Sequence, residues 1–178
     1  DFHLDVGKIE AAITRKTKAI IINSPNNPTG VVYSEKELLD LAAVLHRRRE
    51  KGQRIFLLSD EAYRKILYDG IVLPDVFNIY EDTISVTSHS KDLALPGERI
   101  GYITASPRIT NLKPLMDAMI FSNRILGFIN APALMQRLVS RFQKNSVDIL
   151  DYQKKRDALY NILVEAGLSV VKPMGAFY

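Results

Sequence analysis

The chain has 178 residues, 47% hydrophobic and 25% charged, which is enough for one domain with a sizeable core. It has no cysteine, which excludes disulfides, thiolate metal sites and a cysteine nucleophile and is compatible with a cytoplasmic location. The formal charge of +4 is dispersed and no apolar run approaches the roughly 20 residues of a membrane span, so neither a nucleic-acid nor a membrane partner is expected.

Asp5 can cap a short helix that presents Val6, Ile9 and Ile13 on one face. Residues 19–23 read as a strand, and the unbroken run Ile20, Ile21, Ile22 suits burial on both faces. Pro25 and Pro28 then exclude helix, and Gly30 permits a turn. Ser34 and Glu37 have the spacing of a capping box. The helix behind them places Leu38, Leu41, Ala42 and Leu45 on one face, carries Arg47, Arg48 and Arg49 where cations complement the dipole, and stops at Gly52. A strand over 55–59 completes a strand–helix–strand unit, which implies parallel strands and a right-handed crossover. The stretch 61–82 is irregular, broken by Gly70 and Pro74. A strand over 83–87 follows, then one over 99–104; the loop between them is too short for a parallel crossover, so the second is expected antiparallel. Helices are predicted over 109–122 (loosely begun around Pro114), 131–142 and 147–166. The last carries apolar Leu150, Leu159, Ile162 and Leu163 and ends at Gly167.

Three of the apolar runs end in polar clusters: Ser24 to Gly30, Ser59 to Tyr63, and Ser88-His89-Ser90-Lys91. In an open parallel sheet the carboxyl ends of neighbouring strands converge on one crevice. Asn27, Asp60, Tyr63, Ser88, Lys91 and Arg99 can therefore line a single pocket. Serine hydroxyls and an arginine fork bind phosphate oxygens. A lysine at a strand end can form a Schiff base with an aldehyde cofactor. By itself, Ser-x-x-Lys also occurs in acyl-transfer enzymes. His3, His46 and His89 are scattered without metal-ligand spacing, so no metal is expected. Glu61 is expected to be an exposed neighbour of Asp60, His89 has no assigned role, and the aromatics other than Tyr63 are expected in core or interface.

Together and in this order, Asn27-Pro28-Thr29-Gly30, Asp60-x-x-Tyr63, Ser88-x-x-Lys91 and Arg99-Ile100-Gly101-Tyr102 resemble the class I/II aminotransferases. These are the aspartate-aminotransferase-like enzymes of fold type I that depend on pyridoxal 5'-phosphate. The resemblance extends through Pro173-Met174-Gly175-Ala176-Phe177-Tyr178. It implies an α/β fold, a mostly parallel sheet flanked by helices. Residues 1–145 would be part of the cofactor-binding large domain, 146–168 an interdomain helix, and 169–178 the first strand of a truncated small domain.

The resemblance also implies roles. Lys91 would hold the cofactor as a Schiff base and then shuttle a proton at the substrate α-carbon. Asp60 would pair with the pyridine nitrogen and make the ring an electron sink, while Tyr63 and Asn27 would hydrogen-bond the ring 3-hydroxyl. Ser88 and Arg99, with Ser90 as a helper, would hold the cofactor phosphate, and Arg124 is a candidate for a distal substrate carboxylate. The implied partners are an amino acid, a 2-oxo acid and a second subunit of a homodimer. The family's phosphate loop and ring-stacking aromatic would lie upstream of Asp1, and its carboxylate-clamping arginine beyond Tyr178. The 178-residue chain alone is therefore expected to bind cofactor weakly and not to transaminate. Two other activities stay open on the same motifs: a carbon–sulfur lyase or cyclopropane-carboxylate synthase on the same cofactor, and an aminotransferase-like effector domain of a transcription regulator.

Overall fold

The computed structural model describes residues 2–177. Strands β1 (Ala19–Asn23), β2 (Phe56–Asp60), β3 (Thr83–Ser88) and β4 (Gly101–Ala105) form one sheet in the order β1-β2-β3-β4. The first three run parallel and β4 is antiparallel to β3, so the architecture is α/β with a mostly parallel sheet. Asn23 is in register with Asp60, Asp60 with Val86, and Ser88 with Gly101. The polar residues that follow β1, β2 and β3 therefore gather along one edge. β4 begins two residues later than the sequence suggests. Arg99 has left-handed backbone (φ 49°) and turns the chain before the strand. A Cβ at position 101 would lie 2.4 Å from the Thr87 carbonyl oxygen, so glycine permits β4 to close on β3 there.

Helix α1 is Val6–Ala12 and α2 is Glu35–Glu50; the short α3 is Val76–Ile79 and α4 is His89–Asp92. The later helices are α5 (Leu112–Ile125), α6 (Ala133–Arg141) and α7 (Ile149–Glu165). α2 buries Leu38, Leu41, Ala42, Val44 and Leu45 against Ile22 of β1 and Leu57 of β2, with Tyr80 in the same cluster. Each of these leucine, isoleucine and valine side chains contributes about 1.5–3 kcal/mol on burial. Among the described residues only one face of β1 is covered, where burial on both was expected. Ile22 is 4% exposed, whereas Ile21 is 72% exposed on the other face, which also carries the exposed pair Val86 and Ile103. Among the described residues no helix is long and apolar enough to cross a membrane.

The capping box of α2 is complete: Ser34 Oγ accepts from the Glu37 N–H, and the Ser34 N–H donates to the Glu37 carboxylate at 2.8 Å. Burial pushes the Glu37 carboxyl up, but hydrogen bonds from Ser34, the Leu4 N–H and His3 outweigh it and hold its pKa at about 2. The folded value is below the ordinary 4.5. This carboxylate's stabilisation is thus fully present above about pH 4.5 and is lost as the pH falls through about 2. In the whole protein, Ser34→Ala should cost about 1 kcal/mol in urea denaturation at neutral pH. Glu37→Gln should flatten the stability profile within that acid window. Unchanged denaturation midpoints in both variants would show that the cap does not stabilise the fold.

α7 and the segment behind it differ from the sequence reading. Leu150, Leu159 and Ile162 are exposed, and the buried residue of α7 is Arg156. Its guanidinium donates to both Asp69 carboxylate oxygens at 2.9 Å and to the Pro173 carbonyl at 2.6 Å. This ion pair anchors the helix together with Ile149 and Tyr152, which pack against Tyr63, Ile66 and Tyr68. The expected strand over 169–178 is not present across 169–177, and Tyr178 lies outside the described residues. The chain turns back instead: Met174 and Gly175 N–H groups donate to the Gly30 carbonyl, Ala176 N–H donates to the Ile66 carbonyl, and Gly175 forms one isolated bridge with Leu67. The physical reason is two missing side chains. A Cβ on Gly30 would sit 2.5 Å from Pro173 Cβ, and one on Gly175 would sit 2.6 Å from the Ile66 carbonyl oxygen.

Candidate active site

Lys91 sits on α4, a four-residue turn at the end of β3. Ser88 caps it, its hydroxyl accepting from the Ser90 N–H at 3.2 Å. His89 and Asp92, three apart on this turn, are both buried, which directs Lys91 to the other side. There Lys91 Nζ lies 5.7 Å from the centre of the Tyr63 ring and 5.8 Å from that of Phe177. Tyr63, 3% exposed, meets Phe177 edge-on at 5.6 Å, and Phe177 stacks on Tyr152 of α7 at 4.9 Å. A cation beside aromatic faces is electrostatically favoured.

Asn27 reaches the same place from the β1 loop. Its Nδ2 donates to Tyr63 Oη at 3.3 Å, and its own N–H is held by Asn23 Oδ1 at 2.7 Å. Asn26 stiffens the loop by accepting from the Thr29 N–H and hydroxyl. The Ser24–Pro25 and Asn27–Pro28 peptides are cis. Asn27, Tyr63 and Lys91 thus come together from three different strand ends.

The other candidates are placed less tightly. Asp60 ends β2 with an exposed side chain whose Oδ1 accepts from the Ala62 N–H at 3.3 Å. Arg99 is exposed and donates to the Pro96 carbonyl at 2.7 Å, within its own turn. Ser88 and Ser90 are half-buried and share the α4 cap. Arg124 is exposed in the last turn of α5.

One expectation needs correction, and two neighbours of the site are placed by the structure. Glu61 is 4% exposed, not a solvated neighbour of Asp60. Successive strand-end residues point to opposite faces, and the face that takes Glu61 is the covered one. Burial pushes the Glu61 carboxyl pKa up, against the lowering effect of hydrogen bonds with the Ser59 and Ser85 hydroxyls and of the Arg64 charge. His89, given no role, is 3% exposed, with Nδ1 3.2 and 3.3 Å from the two Asp92 carboxylate oxygens. Tyr152 and Phe177 pack against the cluster of Tyr63, Ile66 and Tyr68, as expected of core aromatics, and Phe177 in addition lies beside Lys91. No periodicity could place Phe177 there; the one available signal was the Gly175-Ala176-Phe177 run.

Comparison with known proteins shows the family. The family model described as aminotransferase class I and II matches residues 1–178. Aromatic-amino-acid aminotransferase 2 of Thermococcus litoralis is 35% identical, over 100% of this chain and 45% of that enzyme. An amino transferase of Eubacterium rectale superposes with a TM-score of 0.95 at 41% identity, covering 98% of this chain and 44% of that one. A double mutant of the Thermus thermophilus aspartate aminotransferase superposes with a TM-score of 0.82 at 31% identity, covering 98% and 45%. The chain spans less than half the length of these relatives. Matched by the family model over its whole length, the chain belongs to the class I and II aminotransferases.

Proposed function

We propose that the whole protein transfers an amino group between an amino acid and a 2-oxo acid on pyridoxal 5'-phosphate, with Lys91 as the cofactor-holding lysine, and that it works as a homodimer. The observation that carries this reading is the convergence of the Lys91 amine with the Asn27–Tyr63 hydrogen-bonded pair. The donor set fits the cofactor group by group. An aldehyde needs an amine, a ring hydroxyl needs donors and a pyridine nitrogen needs an acid partner; Lys91, the Asn27–Tyr63 pair and Asp60 supply these. Ser88, Ser90 and Arg99, around the turn between β3 and β4, are the groups for the phosphate, Arg99 exchanging its Pro96 carbonyl for phosphate oxygens.

When bound, the cofactor supplies a cationic ring that accepts the electron pair left at the substrate α-carbon. The chain's residues supply the rest. Asp60 holds the proton on the ring nitrogen. Lys91 Nζ moves the α-carbon proton. Tyr63 and Asn27 orient the ring through its hydroxyl, and Phe177, backed by Tyr152, packs beside the amine. Residues 1–145 form part of the large domain and 146–168 the helix that leaves it.

The direct test is to incubate the whole protein with cofactor and an amino donor and follow the products. Pyridoxamine phosphate formed in step with the 2-oxo acid is the expected result; release of pyruvate with ammonia would replace this reading with the lyase one.

Arg124 is the candidate for reading a distal carboxylate. Among the described residues no hydrogen bond or ion pair engages its exposed guanidinium. Arg124→Ala should lower kcat/KM for aspartate or glutamate by about 1.5–3 kcal/mol while leaving alanine nearly untouched. Equal losses for all donors would assign Arg124 to structure or to the subunit interface.

A further inference from the structure

We propose that buried His89 and Asp92, together with half-buried Lys65, form a polar relay that positions Lys91. This rests on Lys91 being the cofactor-holding lysine. A four-residue turn has almost no stability of its own, because its hydrogen bonds do not offset the cost of nucleation. Its orientation must be imposed from outside. His89 and Asp92, directly flanking the Ser90–Lys91 pair, are 3% and 4% exposed. His89 Nδ1 contacts the Asp92 carboxylate at 3.2 and 3.3 Å, and Lys65 Nζ reaches Asp92 Oδ2 at 3.0 Å from the other side. Lys65 Nζ also donates to the Gln143 carbonyl at 2.7 Å and the Asn145 carbonyl at 3.1 Å. The Asp92 carbonyl accepts from the Val147 N–H at 2.8 Å, and the His89 N–H donates to the Ile100 carbonyl at 3.0 Å.

Three pieces of the site meet in this relay. Lys65 follows Tyr63 by two residues, Asp92 follows Lys91 by one, and the 143–147 loop leads into α7, which carries Tyr152 behind Phe177. A shift at Asp92 therefore moves the lysine amine relative to both rings. Asp92 is buried between its two partners, so loss of its charge or of either partner leaves a buried polar group less well compensated, a drive for the turn to rearrange. A displacement of about 1 Å in a catalytic group can cost on the order of 100-fold in rate.

The test uses the whole protein with Asp92→Asn, Lys65→Met, His89→Leu and His89→Gln. Asp92→Asn and Lys65→Met should lower kcat about 10- to 100-fold with KM for the amino donor within about threefold, the pattern of a lost positioning interaction. In cofactor-free protein, acylation of Lys91 by acetic anhydride, mapped by mass spectrometry, should rise several-fold as the amine loses its packed orientation. His89→Gln, which keeps a hydrogen-bond donor for Asp92, should recover most of the kcat lost in His89→Leu. Lys65→Met also serves if Asp92→Asn fails to fold. Folded variants with unchanged Lys91 acylation and kcat within about twofold would overturn the relay. Borohydride fixation of the cofactor to a different lysine in the unmutated protein would instead overturn the assignment of Lys91, while the acylation arm still judges the relay on its own.

Discussion

Lys91→Ala in the whole protein is expected to abolish transamination and the borohydride-stable attachment of cofactor to the peptide around residue 91. The amine has two tasks in the proposed function, as nucleophile toward the aldehyde and as proton carrier at the α-carbon, and alanine removes both. The loss should reach several powers of ten, each worth about 1.4 kcal/mol of barrier. Lys65, the basic residue bound to the same turn, is committed to Asp92 and two backbone carbonyls and is not placed to replace it. Folding should survive, since Lys91 is only half-buried and its noted contacts are with ring faces. The measurement is turnover and peptide-mapped fixation. Substantial turnover by the alanine variant, or fixation retained at that peptide, would remove Lys91 from its role.

Asp60→Ala should be the other large loss. A carboxylate paired with a pyridinium keeps the ring proton in place, and without it the ring is a much weaker electron sink. Turnover should fall by several powers of ten as well. The fold gives little reason for collateral damage. The Asp60 side chain is exposed at the sheet edge and accepts from the Ala62 N–H, so its truncation leaves no buried partner orphaned. Circular dichroism and melting temperature should remain near those of the unmutated protein while kcat collapses. Near-normal turnover would take Asp60 out of the site.

What could be read from the sequence follows the reach of each signal. The capping box at Ser34 and the amphipathic run behind it are local, and they locate α2 well. The short link between Lys91 and β4 forces an antiparallel strand, because no crossover fits in it. The convergence of Asn27 with Tyr63 follows from parallel strands having their carboxyl ends on the same side. What depends on distant chain was hidden. Alternation shows that Asp60 and Glu61 face opposite ways, but which face is covered depends on how the rest of the chain packs. β1 reads as doubly buried from its isoleucines, yet one face is left open. The anchoring of α7 through Arg156 and Asp69 rests on residues more than 80 positions apart, and no periodicity records such a pairing.

The close approach of Gly30 to Pro173 and Gly175 has a consequence for the order of assembly. It joins residue 30 to residues 173 and 175, and contacts of such high sequence separation form late, after local helices and neighbouring strands have paired. Asn27 lies three residues before Gly30, and Phe177 two after Gly175. Phe177, one of the groups around the lysine, is therefore brought to its place by this closure, whereas Asn27 is placed by the end of β1. On the ribosome, all four strands emerge well before residue 177 does. A nascent chain thus has these four strands while the amine of Lys91 still lacks the aromatic wall that Phe177 provides.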